Sequence, residues 1–167
     1  NALMARKENP KDYGRLFHTI SICLSKGLGA PVGTVLVGDE EYMRKSLRIR
    51  KILGGGMRQV GLLAAAGLYA LDHHVDRLVE DHDRAKEIGK VLREQEYIRE
   101  VEPVETNIVI FYLKDINKEP SFLAQLAKKE IRISNMGQGK LRIVTHLDYT
   151  AKMHKAFLKT LRSIALK

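Results

Sequence analysis

Apolar and polar residues alternate near the start of the chain with the period of a β-strand. From Thr19 to Lys26, isoleucine and leucine alternate with serine and cysteine, which predicts a strand. A second short strand is predicted over 32–37. Asp39 is then a favourable N-cap for a helix that continues to about residue 53, where a run of glycines interrupts it. An alanine-rich apolar helix is predicted over 57–71.

The rest of the chain alternates helical and strand patterns. A long amphipathic helix is predicted from His74 to Glu96, with apolar positions at Val75, Leu78, Val79, Ala85, Ile88 and Leu92. The elements predicted after it are a strand over 107–113, a helix beginning near Pro120, strands over 131–134 and 141–145, and a last helix with a stripe of Met153, Phe157, Leu161 and Ile164. This order is typical of an α+β domain.

The pattern divides the chain near residue 75. Residues 1–74 contain too few elements to close a core, whereas residues 75–167 contain enough to form a small domain. Asn1 is not an initiator methionine, and residues 2–5 have the character of an element already under way. We therefore expect this sequence to be part of a longer protein.

Composition restricts the class of protein. Of 167 residues, 44% are hydrophobic and 29% are charged, which indicates a globular chain rather than a disordered or collagen-like one. The single cysteine, Cys23, excludes an intrachain disulfide and favours a reducing compartment, so we expect a cytoplasmic protein. No apolar run approaches the roughly 20 residues of a membrane span.

The net charge of +9 is concentrated in the first third of the chain. Residues 1–60 carry 11 basic and 5 acidic side chains, and Arg44, Lys45, Arg48, Arg50 and Lys51 fall in one predicted helix. These cations can form a solvated face near the helix C-terminus, where its dipole favours positive charge, or attract an anion. No aromatic platform or nucleic-acid-binding motif accompanies them, so no nucleic-acid partner is expected.

Lys26 is the first candidate for chemistry. It follows an apolar strand and precedes Gly27 and Gly29, which would let a flat ligand approach the backbone. Desolvation at such a position lowers the pKa of a lysine and allows its amine to form a Schiff base with a carbonyl. The alternative is a lysine that caps the strand and extends to water.

Two arginines are further candidates. Arg58 lies in the sequence GGGMRQ, where free backbone N–H groups at a helix start would suit a phosphate, although a helix-breaking hinge explains the glycines equally well. Arg142 lies within a predicted strand and needs either a structural carboxylate partner or a substrate carboxylate. The scattered histidines lack the spacing of a zinc motif, so no metal site is expected.

Several segments together resemble the L-threonine aldolases, which are pyridoxal 5'-phosphate-dependent lyases of fold type I, the aspartate-aminotransferase class. These segments are SICLSKGLGAPVGTVLVG, RIRKILGGGMRQVGLLAAAGLYAL, VDRLVEDHDRAKEIG, VETNIVIF and LRIVTHLD. The resemblance implies an α/β fold representing the C-terminal half of such an enzyme. Residues 1–74 would complete the cofactor-binding large domain and its sheet, and residues 75–167 would form the small α+β domain.

The resemblance also implies roles for individual residues. Lys26 corresponds to the lysine that forms the internal aldimine, and Ser25 and Arg58 to residues of the cofactor-phosphate region. Arg142 corresponds to the arginine that holds the substrate carboxylate, and Lys51 to a basic residue near the site. The implied reaction is retro-aldol cleavage of L-threonine or L-allo-threonine to glycine and acetaldehyde.

Part of the family's site has no counterpart in this sequence. The Asp-Gly-Ala-Arg motif, whose aspartate pairs with the pyridine nitrogen, would lie immediately upstream of Asn1. The stacking histidine, the phosphate loop and the favoured catalytic-base histidine would belong to the same upstream half. The implied partners are therefore that half and further copies in a homodimer or homotetramer. Another fold type I β-eliminating lyase, or an inactive fragment acting as a subunit partner, remains an alternative.

Overall fold

The computed structural model describes residues 1–166. In chain order, the elements of these residues are α1 (Ala2–Arg6), α2 (Pro10–Gly14), β1 (Thr19–Cys23), β2 (Thr34–Gly38), α3 (Glu40–Ile52), α4 (Gly61–His73), α5 (Leu78–Arg93), β3 (Ile98–Val101), β4 (Ile108–Leu113), a 3₁₀ turn (Ile116–Lys118), α6 (Glu119–Ala127), β5 (Ser134–Asn135), β6 (Lys140–Val144) and α7 (Ala151–Ser163).

The chain divides into two compact units. One unit comprises Arg6–Leu78, and the other comprises Asn1–Ala5 together with the residues from Val79 onward. The sequence placed its boundary between residues 74 and 75. The assignment of these parts to a large cofactor-binding domain and a small domain stays a prediction.

The unit that follows Val79 is built on a four-stranded antiparallel sheet in the order β3-β4-β6-β5. One face of β4 carries Val109, Phe111 and Leu113, all buried, as period-two alternation requires. These residues belong to a core shared with buried residues of α5, α6 and α7. Phe111 and Phe122 meet edge to face, with ring centroids 6.0 Å apart. The α+β arrangement expected after residue 75 is therefore present.

The unit Arg6–Leu78 has little core of its own. β1 and β2 form an antiparallel hairpin in which Thr19 pairs with Gly38 and Cys23 with Thr34. Its buried apolar cluster consists of Leu24, Ala30 and Ala70, with Leu28 partly buried against it. Exposed apolar side chains occur on both strands of the hairpin and on α3 and α4. This agrees with the expectation that these elements are too few to close a core.

Some predicted elements differ from the structure. The strand predicted over 131–134 is reduced to Ser134–Asn135, because the backbone turns back on the end of α6. Glu130 adopts a left-handed φ of 59°, and the Ile131 amide donates to the Leu126 carbonyl at 3.1 Å. In the predicted helical stripes, Val79 and Met153 are exposed rather than buried. The strand β3 and the short helix α2 were not predicted, whereas residues 2–5, expected to belong to an element, lie in α1.

Candidate functional site

Lys26 lies in the loop that joins β1 to β2. The loop closes on itself: the Ala30 amide donates to the Leu24 carbonyl at 3.0 Å, and the Gly29 amide donates to the Lys26 carbonyl at 2.9 Å. Gly29 has a φ of 69°, a left-handed conformation that glycine adopts without strain. The sequence LSKGLGA therefore forms a compact double turn, and Lys26 is the first residue of its inner part.

The same loop is anchored to α4. Leu24 and Ala30 are buried with Ala70, and a Cβ placed on Gly67 would lie 3.0 Å from Leu24 Cδ1. Gly67 thus allows the loop to approach α4 closely. Leu24 and Ala30 of the loop are therefore packed, while Ser25 and Lys26 are exposed.

The Lys26 side chain is exposed, so the desolvation expected from the sequence is not provided by the residues around it. Leu24 is buried, whereas the next two residues, Ser25 and Lys26, are exposed. Within residues 1–166, no carboxylate lies in ion-pair distance of its amine. The amine is therefore accessible and has no carboxylate partner.

Ser25 and Cys23 interact beside Lys26. Their side chains are 3.5 Å apart, between Cys23 Sγ and Ser25 Oγ. Hydrogen bonding from Ser25 lowers the pKa of the Cys23 thiol, and the Lys26 charge acts in the same direction. Ser25 thus presents an exposed hydroxyl next to the lysine.

The glycine run places Lys51 close to the backbone that leads to Arg58. A Cβ on Gly56 would lie 2.7 Å from Lys51 Cδ and 3.2 Å from Lys51 Nζ, so the absence of a side chain at Gly56 lets Lys51 lie against the backbone here. Arg58 was predicted inside the first turn of a helix. It lies instead in a turn before α4, which begins at Gly61, because Gln59 adopts a left-handed φ of 49°. Both cationic side chains are exposed.

Arg142 belongs to the other unit and sits on β6, in the interior of the sheet. It pairs with Ile110 of β4 on one side and with Ser134 of β5 on the other. Its Nε is buried and has no hydrogen-bond partner. The structural carboxylate that the sequence analysis left open as a partner for this arginine is not found among residues 1–166.

A cavity of about 780 Å³ opens beside Arg142. It lies between the segment 129–134, the end of β6 and one side of α7. Its polar lining includes Arg132, Arg142, His146 and Tyr149, and its apolar lining includes Ile131, Ile133, Val144, Met153 and Phe157. Such a cavity suits a small ligand with an anionic end.

Buried hydrogen bonds that the sequence did not reveal hold β6 in place. The Asn107 side chain donates to the Thr145 carbonyl at 2.8 Å, and Thr145 Oγ1 donates to the Asp81 carbonyl at 2.7 Å. This network ties β4, β6 and α5 together three residues beyond Arg142. It joins positions far apart in the sequence, so no local pattern identifies it.

A second network lies at the start of α7. The Tyr149 hydroxyl is 3.1 Å from His154 Nδ1, and His154 Nε2 is 2.8 Å from a Glu87 carboxylate oxygen. Burial raises the pKa of Tyr149 above its usual range, which keeps the phenol protonated. Residues 1–166 contain no cluster of three or more side chains suited to hold a metal ion, and none of their helices is long and apolar enough to cross a membrane.

Relatives of known name match most of the chain. The low-specificity L-threonine aldolase of Candida albicans is 39% identical over 148 residues, covering 89% of this chain and 38% of that protein. The enzyme of the same name from Escherichia coli strain K12 is 41% identical over 148 residues, covering 89% of this chain and 43% of the relative. The chain therefore spans about two fifths of the length of these relatives.

Solved structures share the fold at low sequence identity. A protein assigned as an L-allo-threonine aldolase from Listeria monocytogenes EGD-E has a TM-score of 0.77 at 12% identity, covering 96% of this chain and 48% of its own. Serine palmitoyltransferase of Sphingomonas wittichii has a TM-score of 0.65 at 15% identity, covering 87% and 39% respectively. These likenesses confirm the predicted α/β fold of type I and its partial coverage.

The family model of the beta-eliminating lyases matches residues 1–116. That span contains the lysine loop, the glycine run with its two cations, and the first strands of the second unit. The family assignment, the relatives and the fold agree with the resemblance found in the sequence. The chain belongs to the beta-eliminating lyase family.

Proposed function

We propose that this chain forms part of a pyridoxal 5'-phosphate-dependent lyase that cleaves L-threonine or L-allo-threonine to glycine and acetaldehyde. The observation that carries the proposal is the accessible amine of Lys26, which has no carboxylate partner and belongs to a loop anchored on α4. The family match covers this loop, and relatives about 40% identical to the chain are named low-specificity L-threonine aldolases.

The residues of the lysine loop and the glycine run fit the cofactor. An amine that is not held in an ion pair is free to act as the nucleophile toward the cofactor's aldehyde, so Lys26 would hold the cofactor covalently. Ser25, Arg58 and Lys51 provide a hydroxyl and cations of the kind that bind phosphate, with Arg58 assigned to the phosphate and Lys51 to the substrate side. When bound, pyridoxal phosphate supplies the electron-accepting ring for breaking the Cα–Cβ bond.

Arg142 would hold the substrate carboxylate. Its buried Nε lacks a hydrogen-bond partner, and a buried donor of this kind carries an energetic cost unless a ligand satisfies it. A carboxylate can accept two parallel hydrogen bonds from a guanidinium, which fixes orientation as well as affinity. The substrate would thereby be oriented for cleavage, and orientation contributes a large share of the rate.

The remaining parts of the proposal concern partners and location. An upstream half of the complete protein would supply an aspartate for the pyridine nitrogen, a stacking histidine and a catalytic base. It would also cover the exposed apolar side chains of the hairpin and α4. We propose a homodimer or homotetramer of the complete protein in the cytoplasm, acting on a small amino acid.

Borohydride trapping tests the role of Lys26. In the full-length protein with bound pyridoxal phosphate, reduction should attach the cofactor at Lys26, as located by peptide mass. Lys26→Ala should abolish both the attachment and the absorbance of the Schiff base near the visible edge, whereas Lys45→Ala, which removes another exposed lysine, should change neither. Persistence of the absorbance in Lys26→Ala would refute the assignment.

Product analysis distinguishes the reaction from its alternative. Threonine should yield glycine and acetaldehyde, whereas a β-eliminating enzyme would release ammonia and a 2-oxo acid from serine or threonine. Residues 1–167 alone should be inactive with threonine, and activity should appear when the upstream half is added in trans. Cleavage by the lone chain at the full-length rate would contradict the need for that half.

A further inference from the structure

The loop that carries Lys26 has a well-defined shape. Hydrogen bonds join Ala30 to Leu24, Gly29 to Lys26, and the Leu24 amide to the Gly33 carbonyl at 3.0 Å. All of these bonds lie within residues 24–33. They determine the shape of the loop but not its position on the rest of the unit.

Contacts with α4 determine that position. The apolar contacts of Leu24 and Ala30 with Ala70 are non-directional, so they resist separation more than sliding. A directional contact comes from His74, whose Nδ1 lies 2.6 Å from the carbonyl oxygen of Leu28. This hydrogen bond spans 46 residues of sequence and joins the loop to the end of α4.

The His74 ring is itself held in place. Its backbone amide donates to the Ala70 carbonyl at 2.9 Å, which makes His74 the C-cap residue of α4. Its ring meets the edge of Tyr69, with centroids 5.5 Å apart and planes at 84°. Because a carbonyl oxygen can only accept, Nδ1 carries a proton in this contact, as it does in the imidazolium and in one neutral tautomer.

We propose that His74 is a positioning residue for Lys26. Leu28 is two residues beyond Lys26 in the same closed turn, so fastening its carbonyl holds the backbone that carries the lysine in one place relative to α4. The inference rests on the proposed function, in which Lys26 holds the cofactor. Without the hydrogen bond, the loop samples more positions, and the fraction competent to hold the cofactor falls.

Variants at His74 separate the hydrogen bond from the size of the side chain. The δ nitrogen of asparagine is as many bonds from Cα as Nδ1, whereas the amide nitrogen of glutamine is one bond further. In the full-length protein, His74→Asn should therefore keep the dissociation constant of pyridoxal phosphate within about 2-fold of the wild type. His74→Gln and His74→Leu should weaken it by ~3- to 10-fold, the range for one lost hydrogen bond.

The measurement is a titration of the visible absorbance of bound pyridoxal phosphate, with the rate of borohydride attachment at Lys26 as a second readout. His73→Leu is the matched control, because His73 precedes His74, is exposed and also contacts Tyr69, with ring centroids 4.3 Å apart. This control should leave both readouts unchanged.

The outcomes distinguish this inference from the proposed function. Attachment in the wild type at a residue other than Lys26 would overturn the proposed function, and with it this role of His74. Attachment at Lys26 with unchanged cofactor affinity in both His74→Gln and His74→Leu would overturn the positioning role alone. If these variants lower the thermal midpoint without changing the affinity, His74 is only a structural residue. Weaker cofactor binding in both His74→Gln and His74→Leu, together with wild-type affinity in His74→Asn, supports the inference.

Discussion

Arg142→Lys should weaken substrate binding without destabilising the protein. The substitution keeps the positive charge but removes the planar guanidinium that binds a carboxylate through two hydrogen bonds. It also replaces Nε, which is buried and has no partner, by the Cε methylene of lysine. The same substitution should therefore weaken the binding of substrate while leaving the free protein as stable as before or more stable.

The expected changes in ligand affinity and in the free energy of unfolding can be estimated separately. Loss of a charge-assisted hydrogen bond costs about 1–3 kcal/mol, so the dissociation constants of glycine and threonine should both rise by ~5- to 150-fold. Both ligands should be affected because both carry the carboxylate, and cofactor affinity should barely change. The free energy of unfolding should stay the same or rise by up to ~1 kcal/mol, because a buried donor without a partner is removed.

Ligand titration and urea unfolding of the full-length protein check both effects. Arg132→Lys is the matched control, because Arg132 lines the same cavity but is exposed, and it should change neither affinity nor stability. Unchanged affinity for glycine together with a loss of stability would show that Arg142 has a structural role. That result would refute the carboxylate assignment.

Three further predictions concern the unit after Val79. Thr145→Val should lower the free energy of unfolding in urea by ~1–2 kcal/mol, because it removes a buried hydrogen bond. The control Thr160→Val, at a less buried position, should lower it by less than ~0.5 kcal/mol. Equal losses in the two variants would contradict the importance of burial. Burial lowers the pKa of His82 below 6.5, so the unfolded chain binds a proton that the folded chain does not. Stability should therefore fall as the pH is lowered below about 6.5, with a smaller fall in His82→Gln. A profile that is the same in His82→Gln would count against this linkage. Residues 75–167 expressed alone should unfold cooperatively, as followed by circular dichroism, because the buried residues of their core all lie within this segment. A gradual transition would contradict the prediction that this segment folds as an independent unit.

The sequence by itself determined the elements whose signals are local. Alternation of apolar residues located β1, and short apolar runs located β2, β4 and β6. Asp39 marked the start of α3, where it is the N-cap residue although its side chain makes no capping hydrogen bond. The resemblance carried by the motifs around Lys26 and Arg58 determined the family. A short strand such as β3, with the sequence IREV, has too little apolar alternation to be recognised alone.

Only the tertiary structure decided the environment of each candidate side chain. Lys26 is exposed although Leu24, two residues before it, is buried, and the Nε of Arg142 is buried without a partner on a strand that β4 and β5 flank. The contact of His74 with Leu28 joins residues 46 positions apart. Burial and hydrogen-bond partners arise when distant segments pack together, and local patterns of residue type carry no information about which segments will meet.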